Sequence, residues 1–160
     1  MRFSGQLATD RVTKGAEFTS ATAIGEMARA LEAAGFDAGY ATEHPFPPDA
    51  WLASGGHHAL DPFVSLGAAA AATERLRLHT NVLVLPYRNP FLAAKAIASL
   101  DVVSGGRAIV GVAAGYLEGE YQALGADFAA RNDVADDALR AMKRAWSGAS
   151  VRYEGCGYRA

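Results

Sequence analysis

Apolar residues recur along this chain in two rhythms, short near-continuous runs and longer stretches spaced by three or four. Residues 3–7 form a short alternating run that predicts a first strand, followed by a polar loop through Thr13, Lys14 and Glu17. Ile24, Met27 and Leu31 recur at i, i+3 and i+7, which predicts an amphipathic helix closed by Gly35, a residue free to take the left-handed conformation after the last turn. Residues 36–42 predict a second strand, stopped by Glu43-His44-Pro45 because proline has no ladder donor. A loop of unusual length then spans 45–60, with Pro45, Pro47, Pro48, Gly55 and Gly56, and such loops are often functional; its composition suggests a substrate lid. Asp61-Pro62 reads as N-cap and first helical residue of a short Ala-rich helix to Thr73. Residues 76–85 are the most apolar strand-like segment, and Asn89-Pro90 starts a helix that ends at Gly105-Gly106. Residues 107–113 predict the fourth strand and 115–125 a connection with one helical turn. Leu139, Met142 and Trp146 mark a last helix ending at Gly148.

The order is therefore β-α-β-α-β-α-β-α in a single domain over 1–160, and such alternation argues a parallel sheet. A doubly wound dinucleotide sheet should carry Gly-x-Gly-x-x-Gly after its first strand, where this chain has Ala8-Thr9-Asp10-Arg11. The other candidate is a (β/α)8 barrel of the TIM type, which takes about 250 residues, so four β/α units are a half-barrel. Half a barrel leaves strands one and four as open edges that must find cover. The expectation is a truncated copy of a longer protein, with residues 149–160 beginning a segment toward a fifth strand; the alternative is pairing of two halves.

With 51% hydrophobic and 20% charged residues the chain can bury a core and lacks the make-up of a disordered one. A formal charge of −2 without a basic stretch argues against nucleic acid as partner. The single cysteine, Cys156, cannot form an intrachain disulfide, which fits a reducing compartment. The first residues lack a signal peptide's apolar block, and the longest low-polarity run, 64–72, is too short for a bilayer. A soluble, cytoplasmic protein is expected.

In a barrel, reactive groups sit at the carboxyl ends of the strands. There the sequence places Glu43 and His44 after strand two, Thr80-Asn81-Val82 on strand three, and Gly115-Tyr116 after strand four. An imidazole beside a carboxylate can hold or move a proton near neutral pH, so His44 is the sharpest candidate, against the plainer reading of a structural histidine. His57-His58 lacks a third ligand at a characteristic spacing, so no metal site is expected. Glu118 and Glu120 read as solvated loop carboxylates. Tyr40, Trp51, Tyr87 and Tyr116 could line a ring-binding pocket or simply fill core.

In this order and spacing several stretches carry a specific resemblance. They are Ala33-Ala34-Gly35-Phe36-Asp37, Thr42-Glu43-His44, Asp61-Pro62-Phe63, and Thr73-Glu74-Arg75-Leu76-Arg77-Leu78-His79-Thr80-Asn81-Val82. Pro86-Tyr87-Arg88-Asn89-Pro90, Ala94-Lys95, Leu100-Asp101-Val102-Val103-Ser104-Gly105-Gly106-Arg107, and Gly111-Val112-Ala113-Ala114-Gly115-Tyr116 with Glu120 complete the set. Together they resemble the luciferase-like monooxygenase superfamily, most closely its oxidoreductases that use the deazaflavin coenzyme F420. The resemblance implies a barrel whose strand ends cradle a deazaflavin or flavin, with hydride transfer to or from a small organic substrate. It implies His44 and Glu43 as catalytic candidates, and Thr80, Asn81, Val82, Gly115 and Tyr116 as cofactor-binding ones. Asn81-Val82 would be a bulge backing the ring, with a cis peptide lacking proline, and Glu120 would be structural. F420 is the expected cofactor and FMN, in a monooxygenase, the alternative. A homodimer is the expected assembly, and a non-catalytic, dimerising half-barrel scaffold is the competing reading from another class.

Overall fold

Four parallel strands, β1 (Ser4–Gln6), β2 (Ala38–Ala41), β3 (Arg77–Val84) and β4 (Ala108–Ala113), lie in sequence order in one sheet of the computed structural model, which describes residues 1–160. Ser4 faces Ala38, Ala38 faces Arg77 and Leu78 faces Ala108. Parallel neighbours require crossovers. These are α2 (Ala21–Ala33, preceded by the single turn α1, Ala16–Thr19), α4 (Pro62–Ala72) and α5 (Pro90–Ser104), with α7 (Arg131–Ala145) following β4. Right-handed crossovers between strands ordered 1-2-3-4 put every helix on the same side of the sheet, as in a barrel wall. Accordingly α2 packs on α4, α4 on α5 and α5 on α7.

The helix starts are fixed by local chemistry. Asp61 Oδ1 accepts from the Phe63 and Val64 amides at 2.8 and 3.1 Å, Asn89 Oδ1 from Phe91 at 2.9 Å, and Ser20 Oγ from Ala23 at 3.2 Å. Each such cap is worth about 1 kcal/mol. Gly35 and Gly105 end α2 and α5 with φ of +81° and +71°, where a side chain would be strained. Leu7, Ile24, Leu66, Leu76, Leu78 and Leu100 form one core between sheet and helices, and Leu83, Leu85, Ile97 and Met142 a second under α5 and α7. Truncating any of these leucines to alanine costs about 2–5 kcal/mol.

Arg107, at the entrance to β4, ties these layers together. Its guanidinium donates to the carbonyls of Ala70 (2.9 Å), Leu76 (3.0 Å) and Ser104 (2.6 Å) and to Thr73 Oγ1 (2.9 Å). It thereby satisfies carbonyls at the end of α4 and the turn into β3 that have no helical partner.

Three segments differ from the sequence reading. The connection at 115–125 contains a seven-residue helix, α6 (Glu118–Leu124), and the long loop at 45–60 contains the short α3 (Asp49–Ala53). α7 begins at Arg131, well before Leu139, because its first turns are polar outside and use Ala135 and Ala138 as the inward stripe. Residues 149–160 hold a small hairpin of β5 (Glu154–Gly155) and β6 (Tyr158–Arg159). Asp137 on α7 anchors it, accepting from Tyr153 Oη at 2.5 Å and the Cys156 amide at 2.7 Å.

β1 pairs only with β2 and β4 only with β3, and all six residues of β4 are half-buried. No helix is long and apolar enough to cross a membrane.

Candidate functional site

The carboxyl ends of β2, β3 and β4 converge on one cleft of about 390 Å³. That volume lies in the range of about 300–1,000 Å³ found for small-molecule and cofactor sites. Thr42, Glu43 and His44 enter it from β2, Asn81, Val82 and Val84 from β3, and Ala113, Ala114, Gly115 and Tyr116 from β4, with Tyr87 and Glu120 behind. β3 is irregular here: Thr80 faces Val110 but Leu83 faces Val112, so one extra residue is taken up at Asn81-Val82, whose peptide is cis. Gly115 turns the chain after β4 with φ +79°, and a Cβ there would meet Val84 Cγ1 at 2.7 Å. Only glycine serves both conditions.

Glu43 is almost fully enclosed, its side chain 1% exposed. One carboxylate oxygen accepts from the buried Val84 amide at 2.7 Å and the other from Arg88 Nη2. Arg88 also lies over the Phe63 ring, 5.5 Å from its centroid, and burial lowers the affinity of its guanidinium for the proton. Glu43 thus fastens the end of β2 to the end of β3, and both of its oxygens are taken.

His44 is differently placed. Trp51 tilts against it at 4.5 Å between centroids, His57 meets it edge-on at 5.0 Å, and Tyr116 stands edge-on at 6.3 Å. Its Nδ1 is buried without a hydrogen bond and lies 3.5 Å from Glu120 Oε2, and the residue lines the cleft. Glu120, 1% exposed, accepts from Tyr87 Oη at 2.8 Å and from the Phe46 amide at 3.3 Å. Burial first, and the bond to Glu120 second, push the Tyr87 hydroxyl far above its ordinary value, so it stays protonated and donates. Tyr121 packs edge-on against Tyr87 at 4.9 Å and donates to the Ala114 carbonyl. Burial pushes its hydroxyl up to about 12. Gly119 of α6 sits directly on the ring of Pro48, which is how α6 comes close enough to deliver Glu120.

The structure therefore brings His44, Glu43, Asn81, Val82, Gly115 and Tyr116 to one cleft. Thr80 is not brought there, since its hydroxyl donates to the Gly111 carbonyl at 2.9 Å inside the sheet. The solvated-loop reading holds for the exposed Glu118 and fails for Glu120, whose helix turns it inward. Thr42, with a buried and unpartnered Oγ1, is a site residue the sequence reading passed over. Of the four aromatics considered, Tyr87 and Tyr116 line the cleft and Trp51 backs His44, whereas Tyr40 lies edge-on to His79. Burial holds the His79 imidazole below its ordinary range, with Arg77 adding to the effect. A second, more polar cleft of about 510 Å³ is lined by Asp10, Arg11, Thr13, Leu52, His57 and His58. No group of three or more metal-ligating side chains occurs.

A flat heteroaromatic ring suits the first cleft. Val82, Val84, Ala113 and Ala114 offer an apolar wall, and Thr42, whose buried Oγ1 has no partner, and His44 add polar groups to the lining. The residues present fit a flavin-type ring.

All of residues 1–160 match the luciferase-like monooxygenase family, and the chain belongs to it. An uncharacterised protein of Mycobacterium tuberculosis is 36% identical over 140 residues, 80% of this chain and 50% of its own length. The F420-dependent glucose-6-phosphate dehydrogenase of Tsukamurella paurometabola is 33% identical over 137 residues, 81% of this chain and 39% of that one. The FMNH2-dependent dimethylsulfone monooxygenase of Pseudomonas putida is 34% identical over 95 residues, 58% of this chain and 26% of that one. Among solved structures, the monooxygenase RslO1 from Streptomyces bottropensis superimposes with a TM-score of 0.86 at 28% identity, over 100% of this chain and 47% of that one. The matched region spans half or less of the length of these curated relatives. Its four β/α units are thus half of a luciferase-like barrel, in a family of oxidoreductases with both F420- and FMN-dependent members.

Proposed function

We propose that this chain forms the ring-binding half of an oxidoreductase that uses F420 to exchange a hydride with a small organic substrate. The observation that carries the reading is the meeting of His44, Asn81 and Tyr116, from three strand ends, at one cleft with an apolar wall. The bound deazaflavin supplies the hydride chemistry, and the chain supplies position, exclusion of water and proton handling. Asn81, Val82, Gly115 and Tyr116 would hold the ring. His44 gives or takes the substrate's proton, its imidazole being 12% exposed and free of hydrogen bonds. Glu43 holds the strand ends in place through Val84 and Arg88. F420 is preferred to FMN because the F420-dependent relative aligns over 81% of this chain and the FMNH2-dependent one over 58%.

Titration of the purified full-length protein with each cofactor, followed by fluorescence, tests the reading. Micromolar or tighter binding of F420 is expected, and tight FMN binding with none to F420 overturns it. The unpaired edges of β1 and β4 favour a second reading, a half-barrel that pairs with a copy of itself as a scaffold. Analytical ultracentrifugation distinguishes them: the scaffold predicts concentration-dependent dimers of the 160-residue chain with no cofactor affinity.

A further inference from the structure

Glu120 is a buried carboxylate whose surroundings do not account for its charge. No Lys or Arg lies within ion-pair distance of it, and the one basic group that does is His44, with Nδ1 3.5 Å from Oε2. A buried carboxylate is stable only when paired and hydrogen-bonded. Its oxygens offer about four acceptor positions. The Phe46 amide fills one on Oε1 and the Tyr87 hydroxyl one on Oε2, leaving Oε2 open toward His44.

His44 has the complementary need, since its Nδ1 is buried and without a partner. Were that nitrogen bare, its lone pair would face the Oε2 lone pairs, which is repulsive. With a proton on it the same geometry is attractive, and a movement of about 0.5 Å gives an ordinary N–H···O bond. The bond from the Phe46 amide ties the loop just after His44 to α6 as well, so the two groups are held by a built connection rather than by chance proximity.

We propose that Glu120 keeps a proton on His44 Nδ1 and so presents Nε2 as the imidazole's working nitrogen toward the cleft. Glu120 is then a positioning residue for His44, acting through the tautomer. This deepens the reading of His44 as the group that handles the substrate's proton, and it does not depend on which cofactor binds.

The test is long-range proton–nitrogen NMR of 15N-histidine-labelled protein at about pH 8.5, above the ordinary imidazole value of about 6.5. With four histidines the spectrum is simple, and His44 is assigned by the signals lost in His44→Asn. A protonated Nδ1 in the wild type is expected. In Glu120→Gln the Nδ1 resonance should move toward the bare-nitrogen position as the ring reverts to its intrinsic Nε2–H preference, and Glu120→Asp, which keeps the charge, should restore it in part. A bare Nδ1 in the wild type overturns the proposal, even if no Glu120 variant folds. So does a folded Glu120→Gln protein with an unchanged pattern. The readout needs no cofactor, so a failed F420 titration leaves this inference standing, and a bare Nδ1 leaves the cofactor reading standing.

Discussion

Replacing Glu43 with alanine removes two partners at once. The Val84 amide, itself buried, loses its 2.7 Å acceptor, and Arg88, whose side chain is 22% exposed, loses its counter-charge. Breaking a buried ion pair by deleting one member costs about 3–5 kcal/mol, and an orphaned buried N–H about 1–3 kcal/mol. The two losses overlap, and water can reach the vacated space through the cleft that Glu43 lines, so about 4 kcal/mol is expected for Glu43→Ala. Against a total stability of about 5–15 kcal/mol this is a large fraction. Glu43→Gln keeps an acceptor for Val84 and should lose about half as much. Urea denaturation, followed through Trp51 and Trp146 fluorescence, measures each variant. In a cycle of Glu43→Gln, Arg88→Met and the double variant, a coupling of about 2 kcal/mol or more is expected. Additivity within about 0.5 kcal/mol would refute the fastening role. Near-native stability of Glu43→Gln with abolished turnover would make Glu43 a proton carrier instead.

His44→Ala in the full-length protein should retain the wild-type melting temperature and lose about 100-fold or more in turnover, the usual scale for a proton-transfer group; unchanged turnover removes His44 from the mechanism. Arg107→Met deletes four hydrogen bonds and should lower stability by about 4 kcal/mol at about 1 kcal/mol each, measured by urea denaturation; a loss under about 1 kcal/mol contradicts the clasp. Although its burial acts in the opposite sense, the Tyr153 hydroxyl, the Cys156 amide and Arg140 hold the Asp137 carboxyl below its ordinary 3.8. A depressed carboxyl stabilises fully above its unfolded value and stops doing so as pH falls through the lower folded one. The 154–159 hairpin should therefore stay docked on α7 down to about pH 4 and release below it; amide exchange of Cys156 that is equally fast at pH 6 and pH 3, after correction for intrinsic rates, contradicts this.

What the sequence made legible is mostly what is local. Asp61-Pro62 and Asn89-Pro90 start helices by bonds spanning two or three residues, and Gly35 and Gly105 end them through their own backbone freedom. The same holds for the strand ends, so Glu43, His44, Asn81 and Tyr116 could be placed on a common rim before any coordinates. Glu120 could not, because its burial depends on Phe46 and Tyr87, 74 and 33 residues away, while its neighbours Glu118 and Gly119 look like a solvated turn. Thr80 stands one residue outside the cleft because the bulge begins after it and its hydroxyl stays within the β3–β4 pairing, which no local pattern signals. The early turns of α7 were hidden because alanine stripes are a faint signal beside Arg131, Asn132 and Asp133.

The seat of Gly119 on Pro48 fixes the spacing between α6 and the loop after β2. One side of that contact has no side chain and the other is a closed ring, so neither can rotate to make room. Trp51 is seated in a similar way, its indole lying on Gly56 and between the His44 and His57 rings. Two glycines, one in α6 and one under the indole, therefore set how closely the segments around His44 can approach, and a side chain at either would push them apart.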